Sequence, residues 1–287
     1  MFKIIGNIGV VLCIFGGYVA EEGQLKVLYQ PLEVLMIVGS ATMAYLVANS
    51  KHTVKHTLGD IKMIYKKDKY GKAEYLELLS LLFAIFKTAR SKGWLALERH
   101  IEDPHESDLF KKFPTFYGNH HAVTFLCDYL RLISLGAEKP HEIEALMDQE
   151  IETQAIETSH TAHAVQGMAD GMPALGIVAA VLGVIHTMGS ITEPPAVLGH
   201  LIGGALCGTF MGVFFAYGFV GPTASAIQER ANTELKYYLC MKTCILAFLQ
   251  GAAPQVSIEF GRKILIHDVQ PTFIEVEEAT QNVTAAA

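Results

Sequence analysis

Pro-Ala-Leu-Gly-Ile-Val-Ala-Ala-Val-Leu-Gly-Val-Ile-His-Thr-Met-Gly-Ser-Ile, residues 173–191, holds no Asp, Glu, Lys or Arg. A helix of that length covers the ~30 Å hydrocarbon core of a bilayer. It has no polar face to turn toward water, as a helix lying on a soluble core would. Three more stretches read the same way: 4–20, 32–49 and 196–221. The one charged residue in the four is Glu33, at the edge of the second. Lipid offers the backbone no hydrogen bonds, so all four are expected to be helices. The competing reading, four buried helices of a soluble protein, conflicts with their lack of a polar face.

Charge fixes the expected topology. Only 18% of the 287 residues are charged, against about a quarter in average domains. Lys51, Lys55, Lys62, Lys66, Lys67, Lys69 and Lys72 closely follow the second stretch, while 192–196 holds no basic residue. By the positive-inside rule both termini and the lysine-rich segment lie in the cytoplasm. The expected order is a first span 1–20, an outer loop 21–31, a second span 32–50 and a cytoplasmic domain 51–171. A third span 172–192, an outer loop 193–196, a fourth span 197–222 and a cytoplasmic helix and tail 223–287 follow. The first stretch could instead be a signal peptide, but its flank Gly-Tyr-Val-Ala lacks a small-x-small cleavage site.

The fold class is therefore all-α: four transmembrane helices and a mostly helical cytoplasmic domain. In that domain Tyr75, Leu78, Leu79, Leu82, Ile85 and Phe86 recur at helical spacing. A helix around 124–135 is apolar along Phe125, Leu126, Tyr129, Leu130 and Leu132. Another starts near Pro140 with an acidic first turn and leads back to the membrane. The fourth span is expected to continue as a helix beyond Pro222, and 280–287 reads as disordered.

Within the spans, small residues dominate. Gly204, Gly208 and Gly212 share one helix face, and Gly176 with Ala180 and Ala179 with Gly183 repeat the spacing in the third span. Such rows let helices approach closely in lipid, within one subunit or between subunits. Pro173 reads as a first-turn proline opening the third helix, and Pro222 as closing the fourth. Thr209 sits mid-span and is expected to bond back to its own helix. His186 lies toward the outer end of its span, near interfacial water. An ion path normally needs an intramembrane acid or histidine relay. Neither the third nor the fourth span has a carboxylate, so the titrating group is expected from another chain, and this chain alone should conduct nothing.

Other chemistry is excluded. Cys13, Cys127, Cys207, Cys240 and Cys244 form no CxxC pair, which speaks against a disulfide framework. His160 and His163 have no third ligand placed for zinc. There is no phosphate loop, nucleophile elbow or paired-carboxylate site, so no enzyme is expected. No internal repeat is present, which argues against a secondary transporter.

Six runs carry a resemblance. They are Leu-Tyr-Gln-Pro (28–31), Glu-Ile-Glu-Ala-Leu-Met-Asp-Gln-Glu-Ile-Glu (142–152), Met-Pro-Ala-Leu-Gly-Ile-Val-Ala-Ala-Val-Leu-Gly-Val-Ile-His (172–186), Gly-Thr-Phe-Met-Gly (208–212), Ala-Tyr-Gly-Phe-Val-Gly-Pro (216–222) and Glu-Phe-Gly-Arg-Lys (259–263). Over nearly the whole chain they resemble the MotA family, the larger stator subunits of the bacterial flagellar motor, within the MotA/TolQ/ExbB proton channel family. The resemblance implies a multi-pass protein of the bacterial inner membrane that serves flagellar rotation, motility and chemotaxis. It implies a homopentamer around two copies of a single-span partner, MotB, which brings the ion-accepting aspartate. Pro173 and Pro222 match the family prolines that couple protonation to movement. Ala180 and Thr209 match ion-path positions, and alanine in place of threonine at 180 favours protons as the translocated ion. Arg90 and Glu98 match the charged pair that engages the rotor protein FliG; without the resemblance they read as solvated surface. No cofactor beyond the ion and no nucleic-acid partner is implied. The competing class, an ExbB- or TolQ-like energising subunit of a transport complex, typically has three spans. A membrane scaffold without ion flux is a third possibility.

Overall fold

A computed structural model describes residues 2–66, 69–137 and 139–285, the side chains of 282–285 excepted. Every regular element among them is a helix. We number the longer ones α1 (Phe2–Ala20), α2 (Leu25–Ala48), α3 (Lys51–Met63), α4 (Lys72–Lys92), α5 (His120–Ser134), α6 (Pro140–Gly189), α7 (Pro195–Leu249), α8 (Pro254–Lys263) and α9 (Phe273–Ala285). Four of them, α1, α2, α6 and α7, are long and apolar enough to cross a membrane. The chain divides into two compact units, Met1–Lys67 with Glu157–Arg230, and Asp68–Ile156 with Ala231–Ala287.

The first unit packs the four apolar stretches against one another. Phe15 of α1 meets Phe214 edge-on at 5.3 Å and Phe210 at 6.3 Å, while Val10 lies against Gly218. Rising numbers on α1 thus meet falling numbers on α7, and the two run antiparallel. Gln30 lies against Gly204 and Glu33 against Gly208, so α2 runs parallel to α7. Asn7 Nδ2 donates to the Tyr65 hydroxyl at 2.9 Å, which brings the start of α1 to the end of the unit where α3 finishes. Ser50 caps α3 by accepting from Thr53 N at 3.2 Å.

One expectation about the prolines fails. Pro173 does not open a helix: α6 runs unbroken from Pro140 to Gly189 with Pro173 inside it. A proline there removes one backbone hydrogen bond and crowds the carbonyl four residues earlier, and the tightly packed helix on either side carries that cost. Beyond Pro222 the helix continues, as the sequence leads one to expect. A π turn, Ala216–Val220, immediately precedes it, and the helix resumes as Gly221–Leu249. The extra residue of a π turn reshapes the ladder where the proline cannot donate. A second π turn, Leu35–Gly39, lies in α2.

The second unit has its own core. Tyr75, Leu78, Leu79, Leu82, Ile85 and Phe86 of α4 are all buried, as their spacing predicts, together with Phe125, Leu126, Tyr129 and Leu130 of α5. Phe86 stacks on Phe248 at 4.5 Å and Tyr70 on Tyr237 at 4.2 Å, aromatic pairs that add to simple burial. Cys127, Cys240 and Cys244 are buried and unpaired; burial pushes the Cys127 thiol up to about 12, so it stays protonated and inert.

The expectation of disorder from residue 280 also fails, because α9 extends to Ala285. Thr272 and Glu275 form a reciprocal cap, with Thr272 N donating to Glu275 Oε2 at 2.7 Å and Glu275 N to Thr272 Oγ1 at 3.3 Å. One turn apart, Val276 and Thr280 are then buried. Lys72 pairs with Glu275 at 2.7 Å, and bonds from Lys72 and Thr272 hold the Glu275 carboxyl at about 2. A depressed carboxyl stabilises the fold above its unfolded value and loses that effect as pH falls toward 2, so this tether holds at physiological pH. Residues 286 and 287 lie outside the described part.

A Cβ on Gly261 would fall on Cys244 Sγ and stand 3.1 Å from Cys240 O. Replacing Gly261 with Ala is therefore expected to destabilise the second unit by about 1–3 kcal/mol through overpacking. A thermal melt of the purified protein, followed by circular dichroism, checks this; an unchanged midpoint would contradict the α7–α8 packing described.

Candidate functional site

The third and fourth spans touch backbone to backbone. A Cβ on Gly176 would stand 2.8 Å from Gly208 O and 3.0 Å from Gly212 Cα; one on Gly212 would stand 2.8 Å from Met172 O. Gly183 meets Ala205 in the same way, at 2.9 Å from its Cα. The small-residue rows seen in the sequence thus pack α6 against α7 within one chain, antiparallel and with nothing larger than an alanine methyl between them.

This contact brings most of the predicted residues together. Ala180 N lies 3.1 Å from where a Gly208 side chain would begin, so Ala180 and Thr209 sit at one level, midway along the two spans. Met172, whose carbonyl crowds Gly212, precedes Pro173. Gly221, which precedes Pro222, faces Ala169, one turn before Pro173. The prolines therefore mark one end of the paired helices, and Ala180 with Thr209 marks the middle. Pro173, Ala180 and Thr209 are half-buried and Pro222 is exposed. Unlike Thr187, whose hydroxyl donates to Gly183 O at 2.8 Å, Thr209 makes no such bond to its own helix among the described residues. The expectation of back-bonding therefore fails at Thr209.

Gly204 has a different role from its neighbours in the row. The atoms nearest to it belong to the Gln30 side chain, with Nε2 3.3 Å from an added Cβ. Beside it, Glu33 Oε2 stands 3.0 Å from the same position on Gly208. The notch left by these two glycines thus holds two polar side chains from α2. Sequence reading places Glu33 at the rim of its span; the structure places it 91% out of contact with solvent (9% exposed), at the level of Ala180. The missed signal is local: Gln30 immediately precedes the helical turn that begins at Pro31 and carries Glu33, and the two face glycines that are four apart.

Arg90 and Glu98 belong to the second unit. Arg90 lies in the last turn of α4, which ends at Gly93, a residue at φ +80° that favours glycine. A single turn, Trp94–Leu97, then leads to Glu98 at the start of a short helix. Both charges are exposed. Arg90 is not a free charge, however: Nη1 donates to Ala252 O at 3.0 Å and to Gly251 O at 3.5 Å. It thereby holds the turn between α7 and α8.

The histidines gather no metal site. His186 is exposed. His160 and His163 line a groove of about 790 Å³ with Tyr45, Asn49 and Thr53, but no group of three His, Cys, Asp or Glu could hold a metal among the described residues.

A family model described as Motility protein A N-terminal matches residues 4–93, and one described as the MotA/TolQ/ExbB proton channel family matches residues 119–239. The chain is 41% identical to Motility protein A of Escherichia coli (strain K12) over 278 residues, 97% of this chain and 94% of the relative. It is 34% identical to the chemotaxis protein LafT of Vibrio parahaemolyticus, over 97% and 98% of the two chains. Among solved structures, the flagellar MotAB stator complex of Bacillus subtilis aligns with a TM-score of 0.74 at 25% identity, covering 93% of this chain and 97% of that one. The C. jejuni MotAB structure shares the fold, with a TM-score of 0.76 at 22% identity over 92% and 95% of the chains.

Because α6 and α7 meet at their backbones, Gly212→Leu is expected to drive them apart and cost more than the ~1–3 kcal/mol of ordinary overpacking. Gly199, with nothing within 4 Å of an added Cβ, should accept Ala without effect. Size-exclusion profiles of the two variants in detergent after a heat step test both halves of this expectation.

Proposed function

This chain belongs to the Motility protein A family, and we propose that it works as the ring-forming stator subunit of a flagellar motor, turning proton flow into torque. The observation that carries this reading is the paired α6–α7 contact, which sets Ala180 and Thr209 at mid-span and a proline inside each helix at one end. A proline in a continuous helix is a built-in bend point. A change in packing at mid-span can alter that bend and displace the residues beyond it. Both α6 and α7 contribute residues to the second unit, where Arg90 and Glu98 lie, so the same two helices link an ion event to a moving surface.

The partner is a MotB-type single-span chain, as the likeness to solved MotAB stator complexes supports. It would supply the acid that accepts the ion against Pro173, Ala180 and Thr209, and a ring of this chain, five in the family pattern, would surround two copies of it. The rotor partner is a FliG-type protein facing Arg90 and Glu98. Exposed charges suit a contact that must form and break in each step, because they steer encounter without deep burial. The role is not enzymatic, and the only small species handled is the ion. The relatives over 97% of the chain are named for motility and chemotaxis, which favours this reading over an ExbB- or TolQ-like energising subunit.

The ion is a proton. Sodium needs a shell of oxygen ligands, and Ala180 brings none to the middle of the path; Thr209 alone offers a hydroxyl. The chain lies in the inner membrane with its termini and second unit on the cytoplasmic side. The lysines after α2 support that orientation, as does the Asn7–Tyr65 contact, which joins the start of α1 to the lysine-rich end of the unit.

Expression with its cognate partner in a motile bacterium lacking its own stator genes tests this. Swimming should be restored, persist in sodium-free medium and stop when a protonophore collapses the proton gradient; sodium-dependent swimming would overturn the ion assignment. Glu98→Lys should shrink the swim ring severalfold while the protein still accumulates in membranes. It is a cleaner probe than Arg90→Glu, which also removes the bond to Ala252. Full motility of Glu98→Lys would remove Glu98 from the rotor surface.

A further inference from the structure

The groove of about 790 Å³ that holds His160 and His163 lies wholly within the first unit, between α2, the start of α3 and α6. Ala44 and Ala48 of α2 and Ala164, Gly167 and Gly171 of α6 line its length. Both α6 and α2 run along α7, one antiparallel and one parallel, so they are antiparallel to each other. Ala41 therefore lies toward Leu175 at one end, and Ser50 and Thr53 lie toward His160 and His163 at the other. From Ala41 to Ser50 the helix rises about 14 Å, close to half of the ~30 Å hydrocarbon core. The groove has the depth of one leaflet and ends at the lysine-rich side of the unit.

Its apolar length is open and its rim is cationic. A Cβ on Gly167 or Gly171 would meet no atom within 4 Å, unlike those on Gly176 and Gly212, which touch the facing span. The corner between α2 and α3 is fixed: Asn49 Nδ2 donates to Tyr45 O at 2.8 Å, the Tyr45 and Thr57 hydroxyls bond at 2.5 Å, and Ser50 caps α3. His160 and His163 are exposed and make no hydrogen bond among the described residues, and each imidazole has an N–H to donate. The first turn of α3 presents the positive end of its helix dipole. It carries Lys51, with Lys55 one turn on, and both are exposed and in no ion pair among the described residues. No acid is among the lining residues. Asp170, beside Gly171, accepts from Gln166 Nε2 at 2.8 Å, and Glu157 lies one turn of α6 beyond His160.

We propose that this groove binds one anionic phospholipid of the cytoplasmic leaflet. An acyl chain lies along Gly167 and Gly171, and the phosphate sits at His160, His163 and the start of α3. The choice of leaflet rests on the orientation proposed above. Charge decides the occupant. Basic pockets between membrane helices on the cytoplasmic side suit anionic headgroups, and a zwitterionic lipid would leave the lysines without a counter-charge. A second copy of the chain is the competing occupant, since rows of small residues also admit helices. In a ring, however, every copy brings Lys51 and Lys55 to the same level, so the rim would face more positive charge. A lipid anion between copies neutralises it.

The test is native mass spectrometry of the full chain, co-expressed with its partner and purified in mild detergent. It is titrated with dioleoyl phosphatidylglycerol or dioleoyl phosphatidylcholine, which share acyl chains and differ in net charge. Wild type should bind phosphatidylglycerol about tenfold more tightly or better. Replacing Lys51 and Lys55 with Gln should weaken that binding by about fivefold for each lysine, the scale of one charge near an anionic lipid surface. His160→Ala with His163→Ala should weaken it severalfold, and Gly167→Leu, which fills open space, should bring phosphatidylglycerol down to the level of phosphatidylcholine. Equal affinity for the two lipids in wild type would overturn the proposal, as would unchanged phosphatidylglycerol binding in the variants. Gly167→Leu that breaks the oligomer into single chains while keeping the lipid would also overturn it and assign the groove to a second copy. If Gly167→Leu fails to fold, the lysine variant decides, because it alters exposed side chains only. Orientation is read separately, by lysine labelling in right-side-out and inverted vesicles. Binding in detergent does not depend on it, so failure of the orientation and failure of the lipid site are distinguishable.

Discussion

Everything in the first unit depends on two backbones meeting where side chains are missing. In lipid no hydrophobic force draws helices together, so close approach and dispersion contacts must do so. Gly176, Gly208 and Gly212 let the third and fourth spans come within ordinary contact distance of each other's carbonyls and Cα atoms. That closeness fixes the register of the two helices to a single residue. It is why Ala180 and Thr209 share a level, and why the two prolines lie at one end of the pair and not at opposite ends.

The same absence of side chains shapes the neighbouring helix. Gly208 serves two contacts at once, the α6 backbone on one side and the Glu33 oxygen on another. A glycine row that reads as a packing motif is therefore also a recess for polar groups. The π turn in α2 belongs to this arrangement, because the helix must place Gln30 and Glu33 toward α7 and then continue as an apolar span. In α7 the π turn before Pro222 meets a different need, where a residue without an N–H must be accommodated without ending the helix.

What was legible in the sequence was whatever has a period or a sum. The four apolar stretches, the buried face of α4 and the start of α6 at Pro140 all came from spacing, and the expected topology came from the lysine count. What depended on three-dimensional register was not legible. Glu33 sits near the end of an apolar stretch, yet helix α2 is offset so that this end reaches the middle of α7. Pro173 looked like a helix start because local rules place prolines there, but a 50-residue helix has enough flanking packing to carry one internally. Thr280 looked disordered because its surroundings are polar and small, whereas a cap at Thr272 and burial of Val276 extend the helix past it. Arg90 looked like free surface because its carbonyl partners are more than 160 residues away in the chain.

Arg90 is an exposed charge that the fold nevertheless holds in place. Its guanidinium has five N–H groups, and the bonds to Gly251 O and Ala252 O both come from one nitrogen, Nη1, which carries two of them. The remaining donors stay available on an exposed face. Fixing one nitrogen holds the charge at a defined place on the end of α4, and Gly93 turns the chain sharply so that Glu98 follows after a single short turn. A lysine could bring the charge but not this division of labour, since an ammonium on a flexible stem presents one point and not a planar fork. A held position would matter if this surface met a repeating partner, as proposed above. A charge that wandered over its rotamers would pay ordering entropy at every encounter, while one pinned by the fold pays it once, on folding.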